Sequence, residues 1–132
     1  MAGMQKSYKN MYILEENKFK QWLETMGRAW TTKDAALAVS IFDKNASYAA
    51  TPYRDALKGK EEIYEYWAKN MGTQENIKFD FEIVAIKDDY GLAHAWGSYQ
   101  ENEKEEFWDG IFWATFNEED KCVTWKEWWV TK

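Results

Sequence analysis

Four long strand-like segments fill the second half of the chain. Ile77–Lys87, Leu92–Glu101, Glu105–Phe116 and Cys122–Thr131 are rich in β-branched and aromatic residues. Only short polar turns stand between them: Asp88-Asp89-Tyr90-Gly91, Asn102-Glu103-Lys104 and Asn117-Glu118-Glu119-Asp120-Lys121. Connections this short join neighbouring strands antiparallel, because a parallel pair needs a long crossover. The second half therefore reads as an antiparallel sheet, and its apolar face must be covered by the first half.

The first half supplies helices. Phe19, Trp22, Leu23, Met26 and Trp30 recur at three- and four-residue spacing, which predicts a helix over Glu16–Thr31 with one apolar face. Gly27 lowers its propensity and permits close packing. A short second helix is expected over Lys33–Phe42, capped by Thr32, with Asp34 at the positive end of its dipole and Leu37, Ala38 and Ile41 inward. A strand over Ala46–Thr51 ends at Pro52, and Pro52–Lys58 reads as a loop. Gly59 opens a third helix with Glu61 and Glu62 in its first turn and Ile63, Tyr66 and Trp67 on its buried face, ending near Gly72. Helices first and strands after is an α+β order. It reads as one domain over residues 17–132, with residues 1–16 as an N-terminal extension.

Charge narrows the partners. Seventeen basic against 23 acidic residues give a net charge of −6, a surface that repels phosphate backbones and anionic lipid, so neither nucleic acid nor membrane is expected. Cys122 is the single cysteine and cannot form an internal disulfide. The apolar run Met11-Tyr12-Ile13-Leu14 is too short for a secretory signal, and nothing approaches a membrane span, so the expected compartment is the cytoplasm. One His and one Cys give no zinc spacing, the carboxylates no calcium loop, and there is no phosphate loop or nucleophile elbow. No metal or cofactor is expected.

Nine Trp, eight Tyr and seven Phe make up 18% of the chain. Each ring buries about 150–250 Å², and a core this small does not need so many. Some of them are expected to line a cavity or an interface; the plainer account is a Trp-rich core.

A family likeness lies in the order of several short motifs. Asp34-Ala35-Ala36-Leu37 leads into Ile41-Phe42-Asp43-Lys44-Asn45-Ala46-Ser47-Tyr48. Pro52, Gly59-Lys60-Glu61-Glu62-Ile63 and Tyr66-Trp67 follow, then Asp109-Gly110, Phe116-Asn117-Glu118, Lys121-Cys122 and Glu127-Trp128-Trp129. In order and spacing, residues 17–131 resemble the SnoaL-like branch of the nuclear transport factor 2-like superfamily. The resemblance implies a cystatin-like cone, a strongly bent antiparallel sheet wrapped on three helices around an open-mouthed pocket. It also implies dimers through the outer sheet face in many members, and functions from isomerases, dehydratases, epoxide hydrolases and cyclases to pure binding modules. The fold does not choose among them. Matched by spacing from Asp34, Pro52 and Phe116, the tyrosine of the ketosteroid-isomerase branch falls on Met26, its base on Ala50 or Thr51 and its acid on Phe112. None of these can do that work, so this is not expected to be such an isomerase.

If the family's register holds, strand alternation turns Val123, Trp125, Glu127 and Trp129 into the cone, with Trp108, Gly110, Phe112, Ala114 and Phe116. Asp109, Ile111, Trp113, Thr115 and Trp128 then face outward, and apolar Ile111, Trp113 and Trp128 there fit a homodimer contact. Glu127, between two tryptophans, is the candidate acid or base, since lost hydration raises a carboxyl pKa toward neutrality. The plainer account is a structural Glu held by Arg54, Tyr48 or a backbone group. His94, the only histidine, is a weaker candidate. It lies among small Ala93, Ala95 and Gly97, which leave its facing open. Asp109 is read as a cross-strand ion-pair partner, and Cys122 as a small buried hydrophobe. Met26, Trp30, Tyr48, Tyr53, Arg54, Trp67, Phe112, Trp125 and Trp129 are the expected pocket residues. Three readings stay open. One is a non-catalytic pocket for a small apolar or aromatic molecule. Another is a cofactor-independent hydratase, cyclase or isomerase using Glu127 with His94 or a tyrosine. The third is an interaction module whose cavity is filled by its own rings.

Overall fold

A computed structural model describes residues 12–132; most of the expected N-terminal extension lies outside the described residues. The chain runs α1 (Glu16–Thr31), α2 (Ala35–Ser40), β1 (Phe42–Ala49), β2 (Leu57–Lys58), α3 (Gly59–Met71), β3 (Glu75–Lys87), β4 (Tyr90–Glu101), β5 (Lys104–Phe116) and β6 (Cys122–Thr131). The strands form one curved, unclosed sheet in the order β2-β1-β6-β5-β4-β3. β3 to β6 make the expected antiparallel meander. β1 joins parallel to β6, Tyr48 opposite Trp125, and makes the sheet mixed. This pairing crosses most of the chain, so no local pattern announces it.

The first half departs from expectation in small ways that tertiary contacts explain. Phe42 belongs to β1 and not to the second helix: it pairs with Cys122 and is fully buried among Trp22, Tyr48 and Trp125. The second helix is capped by Asp34, whose carboxylate accepts from Leu37 N at 3.0 Å. Thr32 closes α1 instead, its hydroxyl donating to Arg28 O at 2.6 Å. Within the expected loop, Leu57 and Lys58 pair with Tyr48 and Ser47 as the edge strand β2.

The core sits between the helices and the inner sheet face. Phe19, Leu23 and Met26 of α1 and Ile63 of α3 are buried there with Ala93, Ala95, Phe112 and Trp125. The inner side of β4 is built from small residues, and Phe19 lies against bare Gly91, where a Cβ would stand 2.5 Å from its ring. On β5 the alternation holds from Trp108 to Phe116: Trp108, Gly110, Phe112, Ala114 and Phe116 are buried, while Asp109 and Ile111 are exposed. On β6 it holds from Trp125 to Trp128 but fails at Val123, and at the end of the strand Trp129 is as exposed as Trp128. A bulge pairs Thr115 with Thr124 and Phe116 with Cys122, so the extra residue Val123 is left half-buried and Cys122 takes the buried place.

Candidate functional site

A cavity of about 200 Å³ opens between α1, α3 and the inner side of the sheet. α1 contributes Met26 and Trp30, α3 contributes Tyr66, Trp67, Asn70 and Met71, Gln74 comes from the turn before β3 and Phe79 from β3 itself. The sheet adds Tyr48, Tyr99, Trp108 and Phe112, then Trp125, Glu127, Trp129 and Thr131 from β6. The rings brace one another. Phe112 leans on Trp125 with centroids 4.7 Å apart, Tyr48 stacks on Trp125 at 6.2 Å, and Trp30 leans on Trp108 at 5.2 Å.

Among the described residues Glu127 is the only carboxylate in this lining, which has no lysine, arginine or histidine. Tyr48 Oη donates to its Oε1 at 2.8 Å and Trp125 Nε1 donates to the same oxygen at 2.9 Å. No described residue donates to Oε2, and none of the described Lys, Arg or His side chains forms an ion pair with the carboxylate. Burial among the rings pushes the carboxyl up to about 7, against the smaller opposing pull of the two hydrogen bonds. The same burial, reinforced by Glu127, raises the Tyr48 phenol well above its ordinary value and that of Tyr66 to about 12. At neutral pH the site thus combines a carboxyl close to its own midpoint with two uncharged phenols. Such a carboxyl can take or give a proton. Two donors are left over among the described residues. Trp67 Nε1 and Trp108 Nε1 are buried without an acceptor in hydrogen-bond geometry, although Trp67 lies near enough to Tyr48 Oη to favour the phenolate slightly.

The sequence pattern of the SnoaL-like domain matches residues 21–125. The chain belongs to the SnoaL-like domain family, within the nuclear transport factor 2-like superfamily. No curated protein sequence matches it significantly. Among solved structures it is similar to the epoxide hydrolase/cyclase-like enzyme SalBIII of pyran ring formation in the polyether salinomycin. The identity is 17%, 88% of this chain and 93% of that one are covered, and the TM-score is 0.77. It is also similar to RV0760c from Mycobacterium tuberculosis (8% identity, 90% and 99% covered, TM-score 0.78). A third is an LEH-like epoxide hydrolase of M. tuberculosis (9% identity, 86% and 84% covered, TM-score 0.68). At these identities the likeness is one of fold.

This SnoaL-like domain brings together seven of the nine expected pocket residues: Met26, Trp30, Tyr48, Trp67, Phe112, Trp125 and Trp129 all line the cavity with Glu127. Trp129 is at its rim, 46% exposed, its indole N–H on Ala50 O at 2.8 Å. Tyr53 and Arg54 stand apart. The chain turns over Thr51–Arg54, with Arg54 N reaching Thr51 O at 3.5 Å, and this leaves Tyr53 96% exposed and Arg54 outside the lining. His94 does not share the cavity. The pleat turns Ala93 and Ala95 inward and His94 outward, between Glu82 (3.1 Å) and Asp109 (2.9 Å) and against Trp96. Hydrogen bonds to Glu82 and then Asp109 raise its pKa. Asp109 is the cross-strand partner expected, with a histidine in place of a lysine or arginine.

Several lining residues carried a readable signal. Asn70 continues the helical series Ile63, Tyr66, Trp67, and Tyr99 follows Ala95 and Gly97 at strand parity. Gln74 carried none; it is placed by accepting the Trp30 indole N–H at 2.8 Å. Among the described residues, no group of three His, Cys, Asp or Glu is placed to hold a metal ion, and no helix is long and apolar enough to cross a membrane.

Proposed function

We propose that this SnoaL-like domain binds a small molecule with an apolar or aromatic body in the cavity, with Glu127 orienting it. The observation that carries this reading is the half-satisfied carboxylate. One oxygen is anchored by Tyr48 and Trp125, and the other is left to the occupant of an otherwise aromatic chamber. Placing such a group among rings is costly unless something meets it. The open volume also favours this reading over a chamber filled by its own side chains. The expected result of titrating a panel of single-ring fragments, charged and uncharged, is saturable movement of the Trp67, Trp125 and Trp129 indole N–H resonances. If no fragment moves them, or the movements lie only on the outer sheet face, the reading fails.

The second reading is enzymatic, a cofactor-independent hydratase, cyclase or isomerase with Glu127 as acid or base. Its support is the carboxyl held near neutrality beside neutral Tyr48, and the similar SalBIII is epoxide hydrolase/cyclase-like. His94 has no part in it, since it lies on the other side of the sheet.

We further propose a homodimer through the outer sheet face. Ile111 and Trp128 are cross-strand partners there, 38% and 45% exposed, with Phe107 and Val130 also exposed nearby. Trp113 is partly covered by Lys126, whose Nζ lies 5.0 Å from its ring centroid, and belongs to the margin of the patch. Light scattering at micromolar concentration should report twice the chain mass, and Trp128→Glu should return it to the monomer. A wild-type monomer would refute the dimer.

A further inference from the structure

The lining of the cavity has a charge pattern that selects among ligands. It contains one carboxylate and, among the described residues, no lysine, arginine or histidine. The nearest hint of a counter-charge is Arg54, which lowers the pKa of Tyr66 at a distance but makes no ion pair with Glu127. An anionic ligand would meet the carboxylate and the electron-rich ring faces with no cationic side chain among the described lining residues to attract it. A purely apolar ligand would leave Glu127 Oε2 without a partner. A cation answers both features, since it pairs with the carboxylate and is attracted by aromatic faces. The rings meet Trp125 from different directions, Phe112 at 48° and Tyr48 at 28°, and Tyr48 meets Tyr66 at 53°. They form walls around the carboxylate, not a single stack. A volume of about 200 Å³ compares with the roughly 150 Å³ of a cavity that accepts benzene. It therefore suits an alkylammonium head with a short chain or one ring. The Trp67 and Trp108 indole N–H groups, both buried without an acceptor, belong to residues of the same lining.

We propose that the occupant of this cavity is a small organic ammonium ion with an apolar body, held between Glu127 Oε2 and the surrounding aromatic rings. The proposal rests on the cavity being a binding site. The titratable groups that feel the charge of Glu127 from the packed elements are Tyr48 of β1 and Tyr66 of α3. Arg54 acts on Tyr66, and Tyr99 of β4 shares the lining, where burial and then Glu101 and Glu106 act on it. All three phenols have raised pKa values and stay uncharged near neutral pH. Binding of a permanently charged quaternary ammonium therefore follows the ionisation of Glu127 and strengthens as the pH rises through about 7.

The test is calorimetric titration of the intact protein with choline and benzyltrimethylammonium, each beside its uncharged tert-butyl isostere. At about pH 8 at least one cation should bind about tenfold or more tightly than its isostere. That preference should shrink by about pH 6 as the carboxylate is protonated. Glu127→Gln should remove the preference while leaving binding of the uncharged isostere in place. Isosteres that bind as tightly as their cations overturn the ammonium assignment and leave the cavity a binding site. So does failure of both cations while uncharged single-ring fragments still move the Trp67 and Trp125 resonances. If nothing in either panel binds, the binding site and the ammonium assignment fall together.

Discussion

Glu127→Gln should make the protein more stable at about pH 8 by about 3 kcal/mol, a rise in melting temperature of roughly 10 °C. The cause is the direction of the shift. Burial raises the folded-state pKa of Glu127 to about 7 from an ordinary 4.5, so the folded protein prefers the protonated acid more than the unfolded chain does. The stability this provides is fully present below about pH 4.5 and is lost as the pH rises through 7. Above that, the folded state holds a carboxylate among aromatic rings with, among the described residues, two donors and no cationic partner. Glutamine keeps an Oε1 to accept from Tyr48 and Trp125 and never carries the charge. Wild type and variant should therefore coincide near pH 4 and diverge across neutrality. His94 and Asp120 titrate with shifted pKa values too, but they are common to both proteins and cancel in the difference. The measurement is denaturant unfolding of the pair across this pH range. A Gln variant less stable than wild type at pH 8 would mean that an unseen cation pairs with Glu127 in the folded state.

The same residue shows which signals a lone sequence carries. Glu127 was legible because alternation is a local rule, and two tryptophans at positions 125 and 129 flag the inward face of the strand. On β5 the rule holds from Trp108 to Phe116. It breaks where one extra residue enters the ladder. Nothing around Val123 marks the bulge, because its cause is the pairing of Phe116 with Cys122. Phe42 is a second case. It sits one residue after Ile41 and four before Ala46, a spacing compatible with a helix end, but contact with Cys122 pulls it into β1. His94 was ambiguous because small residues flank it on both sides. Its facing is decided by Phe19, which needs bare Gly91 beneath it and so turns Gly91, Ala93 and Ala95 inward. Tyr53 and Arg54 were expected at the pocket by residue type alone, and the backbone turn at Thr51–Arg54 takes them away from it. The parts of the site on regular elements were thus readable, and those set by a turn, a bulge or a distant strand were not.

Gly97→Ala should lower stability by about 3 kcal/mol, the upper end of what overpacking usually costs, and should loosen the cavity wall as well. Gly97 lies on β4 between Phe79 of β3 and Trp108 of β5. The β3–β4 ladder shifts register between Glu75 and Lys78, next to the pairing of Phe79 with Gly97. A Cβ at position 97 would stand 2.0 Å from Lys78 O and 3.0 Å from Trp108 Nε1. The first contact is with backbone held in the sheet, so relief requires the β3–β4 ladder to part. The second pushes the Trp108 indole, which stacks with Phe79 and Phe112 and leans on Trp30 in the lining of the cavity. Gly72→Ala is the matched control. Gly72 has an ordinary helical conformation at the end of α3, and a Cβ there would come no closer than 3.3 Å to Ala68 O. That substitution should stay within about 0.5 kcal/mol of wild type, because the slight crowding is offset by the lower entropy of the unfolded chain. Chemical denaturation of the two variants measures the contrast. Fragment titration of Gly97→Ala below its unfolding transition should show weakened binding together with altered shifts of the Trp30 and Trp108 indoles. Equal stability of the two alanine variants would mean that β3 and β4 can separate at Lys78 without loss, and that the close approach at Gly97 does not hold the wall of the cavity in place.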